Sequence, residues 1–309
     1  MAALFLTGCG GASASDKDTD DSEKASQEAS AKKDSGKKRE SVQQFLLPQA
    51  TGSVVYGNDI ISIDASNTGE GYVMVQYSGG AAKVKMQITL PDSTQYTYTL
   101  GQNGAYETFP LPGGNGAYHI DVLENAYDDM YALAFAQDIE VTLNDEFKPF
   151  LYPNQYAWYT QESKATNYAI ELSQESSDDL NYVENVYKYV TDNISYDKDL
   201  AANIPAGYIP DIDRTMESKT GVCFDYASLM TSMLRSQGIP TKLQVGYSGE
   251  AYHAWIDVYL TESGWVDKII EFDGNSWTLM DPTLAAANNR TSVGEYIGDG
   301  SNYTVKYSY

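Results

Sequence analysis

Cysteine and histidine are almost missing from this chain. Its 309 residues include two cysteines, Cys9 and Cys223, and two histidines, His119 and His253. So few exclude a disulfide scaffold and a Cys/His zinc cluster, and no metal or cofactor is expected. Basic residues are also scarce: 20 Lys and Arg stand against 43 Asp and Glu, a net charge of −23. A phosphate backbone needs cations to displace its counterions, so nucleic acid is excluded as a partner. The plain reading of the acids is a solvated surface. Phenylalanine is rare at 8 residues while tyrosine reaches 26, which suits half-buried β surface where a ring packs and its hydroxyl stays wet. With 42% hydrophobic residues a core can be built, and the length leaves room for two domains and a tail.

The first eight residues read as a truncated signal segment, and Leu6-Thr7-Gly8-Cys9 resembles the bacterial lipobox, whose cysteine thiol is diacylated. The apolar run is too short to span a membrane and has no basic flank. Either the true signal begins upstream or the run is an accidental apolar stub. On the first reading Cys9 is the lipidation site and anchors the protein on the outer face of a bacterial cell membrane. Residues 9–45 are Gly, Ser, Ala, Lys, Asp and Glu with little apolar content, the composition of a disordered tether. Asp16, Asp18 and Asp20 alternate like the start of a calcium loop, but the Gly and Glu that such a loop requires are absent.

Residues 46–148 alternate apolar and polar positions in short runs, among them Tyr72–Tyr77, Val84–Leu90, Gln95–Leu100 and Tyr131–Leu143. Turn signals such as Pro91-Asp92 and Pro112-Gly113-Gly114 separate them. The pattern predicts an all-β, immunoglobulin-like sandwich that serves for spacing or weak binding, with no visible chemistry. His119 falls in one of these runs and reads as structural.

Residues 149–309 change period. Ser177-Asp178-Asp179 caps a helix that carries Val183, Val186, Tyr187, Val190 and Ile194 and ends near Tyr196-Asp197. A loop through Pro205 and Pro210 leads to Gly221-Val222-Cys223. The next helix has Tyr226, Met230, Met233 and Leu234 on one face and stops at Gly238. Cys223 therefore sits in a helix's first turn, where unpaired N–H groups favour a thiolate. A free cysteine is otherwise a small buried hydrophobe. Gly221 permits the close backbone approach that a substrate cleft requires. Further on, His253 lies near the start of the strand 251–260, sharing a face with Trp255, Asp257 and Tyr259. Asp257 is about 13 Å along that strand, too far to orient the imidazole. Asp281 ends the run Trp277–Met280, and an antiparallel pairing of that run with the strand of His253 would make the two neighbours.

Gly221-Val222-Cys223, Asp225-Tyr226-Ala227, Gly238-Ile239-Pro240, Tyr252-His253-Ala254-Trp255 and Trp277–Thr283 together resemble the transglutaminase-like superfamily over roughly residues 160–285. The resemblance implies an α+β, papain-like catalytic domain in which a nucleophile helix packs on an antiparallel sheet. It implies Cys223 as nucleophile, His253 as general base and acid, and Asp281 as the orienting carboxylate. The oxyanion donors would be the backbone N–H of Cys223 and one upstream side chain, for which Tyr196 stands in. Gly221, Trp255 and Trp277 are cleft candidates, although core packing explains both tryptophans as well. The implied chemistry is acyl transfer from an amide of a protein or peptide through a thioester, to water or to an amine. Hydrolysis is the preferred outcome, and a non-catalytic surface binding module is the rival.

Overall fold

A computed structural model describes residues 38–266, 270–272, 277–279 and 303–309, the two short central segments as backbone only. Residues 38–309 cluster as one compact unit.

The first strands are β1 (Val55–Gly57), β2 (Ile61–Asp64), β3 (Tyr72–Tyr77), β4 (Val84–Thr89), β5 (Gln95–Leu100), β6 (Tyr106–Pro110), β7 (Gly116–Tyr127) and β8 (Met130–Val141). They form two four-stranded sheets, in the orders β1-β2-β3-β6 and β5-β4-β7-β8. Every pairing within them is antiparallel. The alternation does what the sequence demands. Val84, Met86 and Ile88 on β4, with Tyr96, Tyr98 and Leu100 on β5, are buried, and they share a core with Ile63, Val75 and Tyr77 of the other sheet. β1 and β6 escape the sequence pattern because they are short and only partly alternating. His119 lies on β7 with Nδ1 2.6 Å from Asp138 and Nε2 3.0 Å from Asp121. The hydrogen bond to Asp138 holds its imidazole above the ordinary value, and it is a structural histidine clasped by two carboxylates.

The helical part follows with α1 (Lys164–Glu175), α2 (Asp179–Asn193), β9 (Ser195–Tyr196), α3 (Lys198–Ala202), α4 (Ile212–Ser218), β10 (Thr220–Gly221) and α5 (Cys223–Ser236). Asp178 caps α2 by accepting from the Asn181 N–H at 2.8 Å. That helix stops at Asn193 rather than near Tyr196. Ile194 turns extended, and Ser195–Tyr196 pair in parallel with Thr220–Gly221. The expected loop between these strands holds α3 and α4, each capped by an aspartate, Asp197 and Asp211.

The last elements are β11 (Thr241–Ser248), β12 (Ala251–Leu260), β13 (Gly264–Val266), β14 (Ile270–Phe272), β15 (Trp277–Leu279) and β16 (Tyr303–Ser308). One sheet has the order β13-β12-β11-β16. β15 pairs with β14 and not with β12, so the pairing expected to bring Asp281 beside His253 is absent among the described residues. Gly246 on β11 has to be glycine, because a Cβ there would meet the Thr304 carbonyl oxygen at 2.0 Å where β16 closes in across a bulge.

The expected tether gives way to packed chain by residue 38. The Arg39 guanidinium pairs with Asp179 at 2.6 Å and lies 4.9 Å from the Tyr182 ring centre, and Phe45 is buried edge-on to Tyr159. Asp and Lys dominate the run just before this stretch, and the apolar anchors that order the chain are isolated, so no periodicity announces them.

α5 is the central element. It packs on β11 and β12 to one side and against α1, α2 and α4 on others, and every residue from Asp225 to Ser236 is buried. Two tyrosine hydroxyls tie it down: Tyr182 donates to the Met233 carbonyl at 2.8 Å and Tyr226 to the Ile194 carbonyl at 2.7 Å. Near its C-terminal end the buried Arg235 guanidinium donates to the carbonyls of Tyr152, Thr241 and Tyr309 at 2.6–2.9 Å. Burial brings this side chain down to about 10, which leaves it charged at neutral pH. Arg235→Met keeps the packing volume and removes all the donors. It is expected to cost about 2–4 kcal/mol, because buried carbonyls then go unsatisfied. Urea unfolding with an unchanged m-value measures it, and an unchanged midpoint would mean that desolving the guanidinium cancels its hydrogen bonds.

Candidate active site

The residues that start α5 are arranged around one carboxylate. Asp225, fully buried in the first turn, accepts the Val222 N–H at 2.9 Å, one of the amides that a helix leaves unpaired at its start. Its other oxygen takes the Tyr208 hydroxyl at 2.7 Å and Arg214 at 3.3 Å, while Arg214 also donates to that hydroxyl. Burial pushes the Asp225 carboxyl up, and the bonds from Tyr208, Val222 and Arg214 oppose it. Tyr208 is itself pushed up to about 12, first by burial and then by its bond to Asp225. This explains Gly221 differently from the sequence. A Cβ at Gly221 would lie 2.7 Å from the Asp225 Cβ, so the glycine makes room for the cap rather than for substrate.

With its helix start fixed, Cys223 is half-buried at the first position of α5 and lines a cleft of about 560 Å³. His253 lines the same cleft from β12, where it faces Gly246 of β11. Tyr196 lines it too, held beside Gly221 by the β9–β10 pair, with the Asp197 N–H donating to the Gly221 carbonyl at 2.9 Å. Cys223, His253 and Tyr196, drawn from three separate stretches of sequence, therefore meet at one cavity. Trp255 does not reach it. It is buried, with its ring centre 6.2 Å from that of His253 and 5.1 Å from that of Tyr303. Asp257 is buried on the same strand and accepts from Gln244 Nε2 at 2.5 Å. Asp281, the side chain of Trp277 and Cys9 lie outside the described residues.

Several lining residues were not singled out in the sequence. Tyr156 packs on Phe224, ring centres 5.3 Å apart, next to Cys223. Tyr252 stands on the rim, its hydroxyl pushed up by burial and further by Tyr307, Tyr247 and Cys223. Gly207 and Tyr208 close one side, and Thr97–Thr99 of β5 form another wall. The β region thus takes part in the site, where it was expected only to space or bind weakly. No Asp, Glu, Lys or Arg is among the described residues lining the cleft, although the chain carries a net −23.

Residues 166–282 match the model of the transglutaminase-like superfamily. The chain carries a transglutaminase-like domain. Two curated relatives are similar to about a third of the chain. One is the uncharacterized protein YebA of Bacillus subtilis strain 168, 29% identical over 117 residues, covering 32% of this chain and 16% of that protein. The other is a protein-glutamine gamma-glutamyltransferase of Pseudomonas aeruginosa, 25% identical over 118 residues, covering 31% of this chain and 16% of that protein. The matches thus span about a sixth of these relatives' length. Among solved structures, red sea bream transglutaminase aligns over 70% of this chain and 48% of its own, at 13% identity and a TM-score of 0.30. Of the residues that line the cleft, those of β5, Tyr156 and Tyr309 lie outside residues 166–282, and the other described ones lie inside.

The cap predicts a measurable effect. Asp225→Ala frees the Val222 amide and releases Tyr208 and Arg214, at a cost of about 1–3 kcal/mol, a fall in melting temperature of several degrees. It is also expected to slow alkylation of Cys223, because the amides at the helix start lose their fixed direction. A variant that melts normally and alkylates at the normal rate would remove Asp225 from any role in the site.

Proposed function

We propose that the chain is a cell-surface thiol enzyme that acts on amide bonds of proteins or peptides through a thioester on Cys223. The observation that carries the reading is the shared cleft. It joins a cysteine at a helix start to a histidine on the neighbouring sheet, and no Asp, Glu, Lys or Arg is among the described residues that line it. Such a lining suits a neutral amide group better than a charged ligand, whose desolvation those residues would not offset.

In this scheme the Cys223 thiolate attacks the amide carbonyl carbon and the carbonyl π electrons move to oxygen. The Cys223 backbone N–H and the Tyr196 side chain stabilise the oxyanion. His253 delivers a proton to the departing nitrogen, the C–N bond breaks and a thioester remains. Water or a primary amine, deprotonated by His253, then attacks the thioester and frees the thiolate. Asp281 holds the imidazole in the productive tautomer. We favour water as the acceptor, so that the enzyme is a peptidase or amidase, with amine transfer as the alternative. The lipobox-like segment supports anchoring through Cys9 on the outer face of a bacterial membrane.

The test offers a glutamine-containing protein with and without a labelled primary amine. Peptide cleavage or ammonia release is expected, and incorporation of the amine would shift the reading to transglutamination. Cys223→Ala must abolish every product. Asp281→Asn is expected to keep the fold and lower turnover by several orders of magnitude, by analogy with the drop of about 10⁴ known for the matching change in a serine protease. Asp257→Asn, whose carboxylate is held by Gln244, is expected to be mild. Product formation that survives in Cys223→Ala would overturn the proposal.

A further inference from the structure

The wall of the cleft supplied by β5 has a property that its side chains do not reveal. β5 is the terminal strand of its sheet, paired only with β4. The Leu90 N–H donates to the Thr94 carbonyl at 2.9 Å across the β4–β5 turn. Those two residues are therefore a hydrogen-bonded pair, and bonded and unbonded pairs alternate along an antiparallel ladder. Thr89 stands opposite Gln95, Gln87 opposite Thr97 and Lys85 opposite Thr99. The backbone N–H and C=O of Thr97 and Thr99 consequently turn away from β4. The Thr99 carbonyl bears this out, since it accepts from Gln155 Nε2 at 2.7 Å, outside the sheet. Among the described residues, the Thr97 N–H and C=O and the Thr99 N–H have no partner. Thr97 and Thr99 are also the exposed positions of β5 that line the cleft of Cys223.

We propose that the free edge of β5 at Thr97–Thr99 is the docking strand for substrate, which binds as an extended polypeptide added to the sheet beside Cys223. The inference rests on the thiol-enzyme reading and narrows it to a substrate class. An extended peptide supplies the alternating donors and acceptors that this edge lacks, and a small free amide does not. The two edge groups of Thr97 and the amide of Thr99 accept one short register, which ends where Gln155 already occupies the Thr99 carbonyl. Main-chain pairing sets no side-chain requirement at the edge, so selection would come from the aromatic surfaces of Tyr156, Phe224 and Tyr252 around the cysteine.

The test uses the full chain and a pool of iodoacetyl-capped hexapeptides of mixed uncharged sequence, with iodoacetamide as the small reagent. Intact mass gives the rate of Cys223 alkylation by each. The peptide reagents are expected to react at least about ten-fold faster, the worth of two or three backbone hydrogen bonds. Two further pools carry N-methyl groups on the odd or on the even backbone amides. Only one edge of an added strand faces β5, so one of these pools should lose the advantage and the other keep it. Thr97→Pro removes the outward N–H without touching the β4 ladder and is expected to bring the ratio of peptide to small-reagent rates close to one. The methylated pools keep the question open to refutation if that variant folds poorly. Equal rates for peptide and iodoacetamide, or loss or retention in both methylated pools, would overturn edge docking. Failure of iodoacetamide itself to label Cys223 would instead count against the thiol-enzyme reading.

Discussion

A helix buried along nearly its whole length can leave none of its ends unsatisfied, and α5 lives under that constraint. Its C-terminal carbonyls are taken by the N–H groups of Gln237, Gly238 and Ile239, and the Arg235 guanidinium ties that end to carbonyls in three other segments. Its flank is pinned by Tyr182 and Tyr226, and its start by Asp225. These contacts fix the position and direction of the first turn. Cys223 is the first residue of that turn, so the same bonds that stabilise the fold aim the thiol into the cleft. The link runs from buried polar satisfaction to the placement of the thiol in the cleft.

Much of this was legible in the sequence because it rests on local periodicity. The spacing of Tyr226, Met230, Met233 and Leu234 and the stop at Gly238 marked the helix that starts at Cys223, and alternation through Ala251–Leu260 marked the strand of His253. What escaped was long-range or too short to carry a period. The two-residue strands β9 and β10 hold Tyr196 beside Gly221, yet a pair of residues has no pattern. In the sequence Asp225 figures only as part of a motif, although Gly221 four positions earlier hinted at a close approach. The purpose of that glycine became clear only with the carboxylate folded over it.

The β region was the larger surprise. Read alone, Gln95–Leu100 is a strand with polar and aromatic faces and no chemistry. In the fold its buried tyrosines join one aromatic cluster with Tyr156 and Tyr309, the ring centres of Tyr98 lying 5.8 Å from each. Through Tyr156, which packs on Phe224, this cluster sets β5 against the start of α5, where β5 forms a cleft wall. The excess of tyrosine over phenylalanine thus has a second use beyond half-buried strands. The rings pack between the two regions while hydroxyls such as that of Tyr96, which accepts the Ser308 N–H at 2.9 Å, still find partners.

In the proposed chemistry Cys223 and His253 act together across one cleft. The decisive experiment is the pH dependence of Cys223 alkylation by iodoacetamide, followed by intact mass in the wild-type protein and in His253→Ala. Labelling of the wild type should persist well below about pH 8.5, the range of an ordinary thiol, and His253→Ala should move the profile upward. Identical profiles in the two proteins, matching that of a free cysteine, would contradict it.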